Sequence, residues 1–329
     1  MDKIINQLAD KGIEYSQNVS MKTKTWIHRG PTVALYITPK NLYELESVIK
    51  LLHDFRASYK VIGHTSNIYM LDSYKIDAIV STTKLTSYTF KDDTLTCEAG
   101  VNISRLSQEC VEKGYKGFEG LVGLPGTVGA AIVNNASCFK CAPSQMLLSA
   151  TILEEEGDKV INQKVEKKYF DFSHRSSAIK RHEKPSVILD VTFQLTKTDD
   201  MDALRTQAQY NIKKRKDTQE GKAKNLGSIY AEHKERQIRI FSLGFLKFPL
   251  VIGLRVMDHF FRDKYSYNLK RNRFLMFLYG YYDILPYVSP KNLNCFVWKD
   301  DGADKAFLRY EEFMHKCFIC GNLEIEICK

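Results

Sequence analysis

Two glycine-rich segments contain the residue types that could bind an anionic cofactor. The first consists of Gly63, His64, Thr65, Ser66 and Asn67. Successive backbone N–H groups in a tight turn bind anionic oxygens without a formal positive charge, and the side chains of Ser66 and Asn67 add further hydrogen-bonding groups. Taken alone, this segment is equally well explained as an ordinary turn after a strand.

The second segment, Gly117–Ala131, is denser in glycine and surrounds Pro125. Each glycine gives up side-chain packing and adds conformational entropy to the unfolded chain. Such a density of glycines is therefore expected where the backbone must pass close to another group. Two such segments, separated by strands, predict a site for an extended cofactor with a diphosphate in its middle.

Alternating strands and helices position these segments. Apolar runs bounded by turn residues predict strands, and apolar residues at helical spacing predict helices. Asn41 and Asn102 are expected to cap two of the helices. The predicted strands are Val33–Ile37, Tyr59–Ile62, Ala78–Ser81, Tyr88–Phe90, Thr94–Cys97, Ala150–Leu153, Val160–Ile161, Val187–Leu195, Cys295–Trp298 and Leu323–Ile327. The predicted helices are Leu42–Phe55, Ser104–Lys113, Asp202–Lys216 and Lys305–Lys316.

The composition excludes several classes of protein. With 329 residues, 44% hydrophobic and 26% charged, the chain is neither disordered nor fibrous. The net charge of +9 is spread along the chain. A nucleotide or diphosphate ligand is a sufficient anionic partner for such a charge, and no nucleic-acid partner is expected. An apolar run of about 20 residues is missing, and the eight cysteines follow no signal peptide. We therefore expect a cytoplasmic protein with reduced thiols.

Five motifs resemble, in family order, those of the UDP-N-acetylenolpyruvoylglucosamine reductases, also called UDP-N-acetylmuramate dehydrogenases. The most specific, Gly120–Ala136, is similar to that family's Gly-Ile-Pro-Gly-Thr-Val-Gly-Gly-Ala stretch followed by Asn-Ala. The other four are Val61–Asn67, Phe172–Ser177, Asn225–Tyr230 and Leu323–Ile327. The resemblance covers the chain from about Thr25 to its end, apart from residues 238–287.

The resemblance implies an α+β protein with the FAD-binding fold of the vanillyl-alcohol-oxidase or PCMH type. Two α+β subdomains, residues 1–75 and 76–200, would hold FAD. Residues 201–329 would form an α+β substrate domain with an insertion at about 238–290. The implied cofactor contacts are the five residues of the first glycine-rich segment together with Gly123, Pro125, Gly126, Thr127, Gly129, Ala130 and Asn135.

The resemblance also implies a reaction in peptidoglycan synthesis. NADPH would reduce FAD, and the flavin would pass hydride to the enolpyruvyl ether of a UDP-sugar, giving UDP-N-acetylmuramate. Arg175 matches the family's arginine and would hold the substrate carboxylate. Ser228 would donate a proton to the other alkene carbon, and Glu326 would polarise the enolate or relay protons.

Several positions depart from the family pattern. His174 replaces a tyrosine, Ala231-Glu232-His233 replaces Lys-Asn-Pro, and Thr65 and Ser137 each replace a glycine. These changes leave two alternatives open. One is a flavin oxidoreductase that acts on another sugar nucleotide in surface-polysaccharide synthesis. The other is a catalytically silent FAD-binding module.

Two further motifs concern the cofactor and metals. His64 lies in the loop through which some flavoproteins of the wider superfamily attach FAD covalently. The reductases generally do not form this covalent bond, so we expect noncovalent FAD. The pairs Cys138/Cys141 and Cys317/Cys320 have zinc-like spacing. They fall in a flavin loop and at a helix-to-strand corner, so we expect buried or half-buried thiols and no metal.

The insertion at 238–290 is rich in aromatic and basic residues and falls outside the family resemblance. Lys247, Pro249 and Arg255 interrupt its apolar pieces, so it should not span a bilayer. It is expected to form an enlarged lid or a protein-contact surface, or to lie on an anionic membrane surface.

Overall fold

The computed structural model describes residues 1–221, 223–231, 233–234, 249–250, 252–253, 256–257, 259–260 and 265–329. The chain forms two compact units. Unit 1 comprises Met1–Ser66, Met70–Arg215 and Ile327–Lys329, and unit 2 comprises Asn67–Tyr69 and Lys216–Glu326. No helix in the described part of the chain is long and apolar enough to cross a membrane.

Among the described residues, the α-helices with defined bounds are α1 (Asp2–Asp10), α2 (Leu42–Asp54), α3 (Ile103–Glu112), α4 (Val128–Val133), α5 (Pro143–Met146), α6 (Met201–Thr218), α7 (Tyr265–Tyr279) and α8 (Ala303–Cys317). The strands are β1 (Tyr15–Ser20), β2 (Thr32–Ile37), β3 (Tyr59–Ile62), β4 (Ile68–Met70), β5 (Ala78–Ser81), β6 (Tyr88–Lys91), β7 (Thr94–Glu98), β8 (Leu147–Glu156), β9 (Lys159–Glu166), β10 (Ser186–Gln194), β11 (His233–Lys234), β12 (Ile319–Cys320) and β13 (Glu326–Cys328).

The first sheet of unit 1 has the strand order β1-β2-β5-β3. β1 is antiparallel to β2, and β5 is parallel to both β2 and β3. A helical crossover must therefore connect β2 to β3, and α2 supplies it. Asn41 caps α2 as predicted, because its Oδ1 accepts from the backbone N–H of Glu44 at 2.8 Å. The apolar face of α2 is buried in the same core as Leu35 and Val80.

The second sheet of unit 1 is antiparallel, with the order β6-β7-β10-β8-β9. Its core includes residues of α3 and α4 as well as large rings such as Phe118 and Phe193, whose centroids lie 5.9 Å apart. The glycine-rich segment ends in α4, so this core anchors the segment predicted to bind the cofactor. The α+β class predicted from the sequence is confirmed.

Unit 2 is built around an aromatic cluster. The indole of Trp298 packs on Phe307 with ring centroids 5.3 Å apart, and Phe296 stands edge-on to both rings. Tyr69 also contacts Trp298, and its hydroxyl donates to Asp304 at the start of α8 at 2.8 Å. Burial of these large apolar surfaces is the main stabilising contribution to this unit.

The sequence predicted most of these elements correctly and some incorrectly. The predicted strand Cys295–Trp298 is wrong, because this segment makes only isolated bridges, Phe296 with Val288 and Val297 with Asn225. The predicted strand Leu323–Ile327 begins later, at Glu326, and Leu323 makes a single bridge with Tyr230. Glu232 and the insertion pieces between residues 235 and 248 lie outside the described residues. The subdomain limits at residues 75 and 200 stay a prediction.

Asp190 gives a pH-dependent prediction for unit 1. It lies on β10, and burial raises the pKa of its carboxyl, although Thr151 donates to Oδ1 at 3.0 Å. A raised carboxyl pKa means that the charged form of Asp190 destabilises the folded state relative to the unfolded state. This destabilisation is fully present above the raised pKa. Below the ordinary pKa the carboxyl is neutral in both states, and the cost vanishes.

Asp190→Asn is therefore expected to raise the thermal unfolding midpoint at neutral pH, because Asn keeps the acceptor and has no charge. The gain should not exceed about 2–4 °C, the shift for ~1 kcal/mol in a domain of roughly 200 residues. Calorimetry across a pH series measures it. The difference between variant and wild type should shrink as pH falls through the raised pKa, and a difference independent of pH would refute this assignment.

Candidate active site

The loop after β3 lies directly against the second glycine-rich segment within unit 1. A Cβ atom on Gly63 would lie 2.3 Å from Oγ1 of Thr127 and 2.9 Å from its Cγ2. No side chain tolerates such distances. Glycine at position 63 is therefore required for the two loops to meet.

Two further contacts join the same loops. Gly126 has a φ of +119°, and a Cβ atom there would lie 3.2 Å from Oγ of Ser66. The imidazole of His64 is hydrogen-bonded to the backbone of Gly126; burial lowers the pKa of His64, and this bond opposes the shift. The predicted cofactor residues from residue 63 to 66 and from 126 to 127 are thus together in one place.

Thr65 shows why the family pattern has glycine at its position. Its φ is 55°, in the left-handed region, where a β-branched residue is strained. The side chain is buried, and its Oγ1 accepts a hydrogen bond from the backbone N–H of Trp26 at 2.8 Å. This bond offsets part of the strain and ties the loop to the segment between β1 and β2.

The second loop is fixed at the start of α4. Thr127 is the N-cap, and its Oγ1 accepts from the backbone N–H of Ala130 at 3.5 Å. The backbone N–H of Gly129 donates to the carbonyl of Ala99 at 2.9 Å, and a Cβ atom on Gly129 would lie 2.8 Å from Cβ of Ala99. Gly129 therefore permits close packing of the loop against the residues that follow β7.

Gly123 and Pro125 lie on the exposed part of this loop. Gly123 has a φ of +80°, and its N–H donates to Oγ of Ser104 at 2.7 Å. Its backbone conformation and its hydrogen bond both hold the loop beside α3. These two residues are consequently accessible to a ligand, whereas Thr127 and Gly129 are buried.

Asn135, which follows the C-terminal end of α4, is hydrogen-bonded to the turn that carries Arg175. Its Nδ2 donates to the carbonyl of Ser173 at 2.7 Å, and its Oδ1 accepts from Oγ of Ser144 at 2.6 Å. Ser173 and Ser176 exchange backbone hydrogen bonds of 3.1 and 3.2 Å across the turn. Arg175 lies inside this turn with a φ of 55° and a half-buried side chain. A strained turn held by several bonds is typical of a functional position.

The other two predicted catalytic residues belong to unit 2, in one backbone network with Asn67. The N–H of Glu326 donates to the carbonyl of Asn67 at 2.9 Å, and Nδ2 of Asn67 donates to the carbonyl of Glu324 at 3.1 Å. The N–H of Glu324 donates in turn to the carbonyl of Ile229 at 2.8 Å. Ser228 directly precedes Ile229, and both Ser228 and Glu326 are half-buried.

The residues that depart from the family pattern have defined places. Ala231 donates its backbone N–H to the carbonyl of Asn322 at 2.9 Å, and His233 pairs through its backbone with Cys320 between β11 and β12. Ala231 therefore contributes a hydrogen-bonded backbone and a methyl group, with no cation at that position. His174 is exposed beside Arg175.

Sequence reasoning missed Arg215, whose side chain lies against the second glycine-rich segment. Its Nη2 donates to the carbonyl of Gly120 at 3.4 Å and to Sγ of Cys138 at 3.1 Å. The basic run at residues 213–216 was a visible signal, but helical spacing alone did not show which of its members points inward.

The four CxxC thiols are buried or half-buried as predicted. Within the described ranges, no three His, Cys, Asp or Glu side chains are grouped to hold a metal ion.

The chain is similar to known proteins along most of its length. The sequence profile of the FAD binding domain family matches residues 33–161. UDP-N-acetylenolpyruvoylglucosamine reductase of Caldicellulosiruptor saccharolyticus is 29% identical over 220 residues, which are 66% of this chain and 69% of that protein. The enzyme of the same name from Clostridium novyi is 28% identical over 230 residues, covering 70% of this chain and 73% of that one.

Among solved structures, UDP-N-acetylenolpyruvylglucosamine reductase of Thermus caldophilus superposes with a TM-score of 0.66 at 17% identity, covering 96% of this chain and 99% of the other. At that identity the superposition shows the fold. The sequence relatives, the order of the five motifs and the FAD-binding profile agree with one another. Over about two thirds of its length the chain is similar in sequence to the UDP-N-acetylenolpyruvoylglucosamine reductases, and it shares their fold.

Proposed function

We propose that this protein is an FAD-dependent reductase of an enolpyruvyl UDP-sugar. It would convert UDP-N-acetylenolpyruvoylglucosamine to UDP-N-acetylmuramate with NADPH as the electron donor, a step in peptidoglycan synthesis. The observation that carries the proposal is the contact between the two glycine-rich loops, where Gly63 meets Thr127 and Gly126 meets Ser66. The names of the most similar relatives supply the substrate class.

The residues at this contact fit FAD. Glycines at 63 and 126 sit where a side chain would crowd the other loop, and the hydroxyls of Ser66 and Thr127 lie at the same contact. Backbone turns with adjacent hydroxyls are the groups that a diphosphate requires. The loops 63–67 and 123–130 would hold it, and Asn135 supports them through Ser144 and Ser173. When bound, FAD would supply the hydride for the reduction.

On the substrate side, Arg175 would bind the carboxylate of the enolpyruvyl group. A guanidinium matches a carboxylate with two parallel donors and opposes negative charge that develops beside it. The carbonyl of Arg175 accepts from Nζ of Lys180 at 3.1 Å, which fixes the backbone that presents the guanidinium. Asn135, through Ser173, positions the same turn.

Ser228 would donate the proton that completes reduction of the double bond, with Glu326 close to it in the backbone network of unit 2. A hydroxyl is a poor acid, so a neighbouring carboxylate that polarises the enolate or relays a proton is needed. The hydrogen bonds from Glu324 to Ile229 and from Glu326 to Asn67 keep the segments carrying both residues adjacent.

We expect the purified protein to be yellow, with flavin absorbance near about 450 nm. Denaturation in acid should release all of the flavin into the supernatant, because the binding residues are backbone groups and hydroxyls. Filtration of the denatured protein measures this directly. Flavin that stays with the chain would instead show covalent attachment, and loss of that attachment in His64→Ala would identify the residue.

A second candidate function is reduction of a different sugar nucleotide. The specific observation behind it is Ala231, which presents a methyl group where the family pattern has lysine. The experiment that separates the candidates follows NADPH oxidation by the FAD-loaded protein with a panel of enolpyruvyl and other UDP-sugars, and identifies products by mass. Turnover of the enolpyruvyl sugar with a gain of two hydrogens supports the first proposal. Turnover of another sugar alone supports the second, and no turnover supports a silent FAD-binding module.

A further inference from the structure

The segment Cys138-Phe139-Lys140-Cys141 forms a two-residue β-hairpin within unit 1. The backbone N–H of Cys138 donates to the carbonyl of Cys141 at 2.8 Å, and the reverse bond is 2.9 Å. Phe139 and Lys140 have φ values of 48° and 68°, so both central residues adopt the left-handed conformation of a type I′ turn. The two cysteines therefore face each other across a hydrogen-bonded pair.

We propose that Cys138 and Cys141 are a reversible dithiol–disulfide site, with Arg215 activating Cys138. Directly opposed residues in such a pair have Cα atoms about 5.5 Å apart, within the 4.4–6.8 Å range of disulfides. Their Cβ atoms, at about 4.5–5.5 Å, must approach slightly to reach the disulfide range of about 3.5–4.5 Å. The bond would form without refolding and, being strained, would be readily reduced.

The hairpin packs against Gly120 through the carbonyl of Cys138 and the thiol of Cys141. Sγ of Cys141 lies 2.8 Å from the place where a Cβ atom of Gly120 would be. Nη2 of Arg215 donates to the carbonyl of Gly120 at 3.4 Å and to Sγ of Cys138 at 3.1 Å. Burial raises the pKa of the Cys141 thiol to about 11, and the nearby carboxylate of Glu119 adds to that shift. Gly120 thus leaves room for the Cys141 sulfur, and Arg215 connects the carbonyl of Gly120 to the Cys138 sulfur.

The strained turn is held by cations. The guanidinium of Arg215 lies 5.4 Å from the ring centroid of Phe139, and Nζ of Lys214 lies 5.7 Å from it. Two consecutive non-glycine residues in the left-handed region cost free energy and persist where their surroundings support them. Arg215 therefore has two roles here: it holds the turn and it stabilises negative charge on Cys138, the more accessible of the two thiols.

The oxidant we assign is a small disulfide such as glutathione disulfide. The thiolate of Cys138 attacks one sulfur of that disulfide, its S–S bond breaks, and one glutathione leaves as thiolate. Cys141 then loses its proton and attacks Sγ of Cys138, and the second glutathione leaves. Two electrons pass from the cysteine pair to glutathione disulfide, and the two protons end on the released thiols.

The test equilibrates the FAD-loaded protein in glutathione buffers of increasing oxidised fraction, followed by acid quenching, alkylation and trypsin digestion. Trypsin cuts after Lys140, so the peptides carrying Cys138 and Cys141 stay joined only through a disulfide. We expect the joined peptides to appear with oxidation and to disappear on addition of reduced glutathione. The proposal would be overturned if both cysteines were alkylated at every ratio of oxidised to reduced glutathione. It would also be overturned if oxidation stopped at a glutathione attached to Cys138.

Two controls make the test specific. Cys317 and Cys320 have the same spacing, but they lie at the end of α8 and in β12, and burial raises the pKa of Cys317. They should remain alkylatable in the same buffers, and equal oxidation of this pair would contradict the role of the hairpin.

Arg215→Gln should slow the first thiol–disulfide exchange on Cys138 roughly tenfold, the effect of losing one hydrogen bond to a charged group. Arg215→Lys should react nearly as wild type. Equal rates in all three would remove Arg215 from the proposal.

Discussion

Replacing Ser228 with alanine is expected to leave flavin reduction by NADPH unchanged and to slow reoxidation by an enolpyruvyl UDP-sugar by about 10²–10⁴-fold. Reduction needs no proton donor for a substrate carbon, so the loss should be confined to the second half-reaction. Stopped-flow traces of the two half-reactions, recorded separately without oxygen, measure this asymmetry. Ser228→Thr retains a hydroxyl and should recover part of the lost rate.

Glu326 should show the same asymmetry in milder form. Glu326→Gln removes the charge and keeps the size, and we expect slower reoxidation with normal reduction. Glu324→Gln, two residues earlier in the same segment, is the matched control and should behave as wild type. Reoxidation of Ser228→Ala at the wild-type rate would show that another group donates the proton.

The second large effect is expected at Gly63. In Gly63→Ala the added methyl would lie 2.3 Å from Oγ1 of Thr127, so one of the two loops must move. Overpacking of this kind costs about 1–3 kcal/mol, which corresponds to roughly 10–100-fold weaker FAD binding if the cost falls on the bound conformation. Titration of the flavin-free protein with FAD, followed by flavin fluorescence, measures the affinity.

Gly221→Ala is the control for this substitution. Position 221 has open space around it, and its φ lies outside the left-handed region. The control should therefore bind FAD with wild-type affinity. Equal affinity in Gly63→Ala would mean that the contact between the two loops is not part of the cofactor site.

The sequence predicted the elements that depend on local patterns. The strand before the first glycine-rich segment, β3, follows from an apolar run, and α2 follows from helical spacing and the Asn41 cap. These features depend on a few neighbouring residues, so a single sequence reveals them. The two glycine-rich segments together predicted one extended cofactor, the family resemblance identified it as FAD, and the contact between Gly63 and Thr127 agrees with a shared site.

Features that depend on distant parts of the chain were not predictable in the same way. Cys295–Trp298 has the composition of a strand, but its apolar side chains are buried in the aromatic cluster of unit 2, and its backbone makes only isolated bridges. Arg215 contacts Gly120 across 95 residues of sequence. The supporting role of Asn135 likewise depends on Ser173, which is 38 residues away. Such pairings arise from tertiary packing, which local propensity does not encode.

The most direct test of the central proposal is a single turnover of the reduced protein. The FAD-loaded protein is reduced without oxygen and mixed with one equivalent of UDP-N-acetylenolpyruvoylglucosamine, and flavin absorbance is followed. We predict that the oxidised spectrum returns fully and that the sugar gains two hydrogens, giving the mass of UDP-N-acetylmuramate. A flavin that stays reduced with this sugar and is reoxidised only when oxygen is admitted would contradict the proposed function.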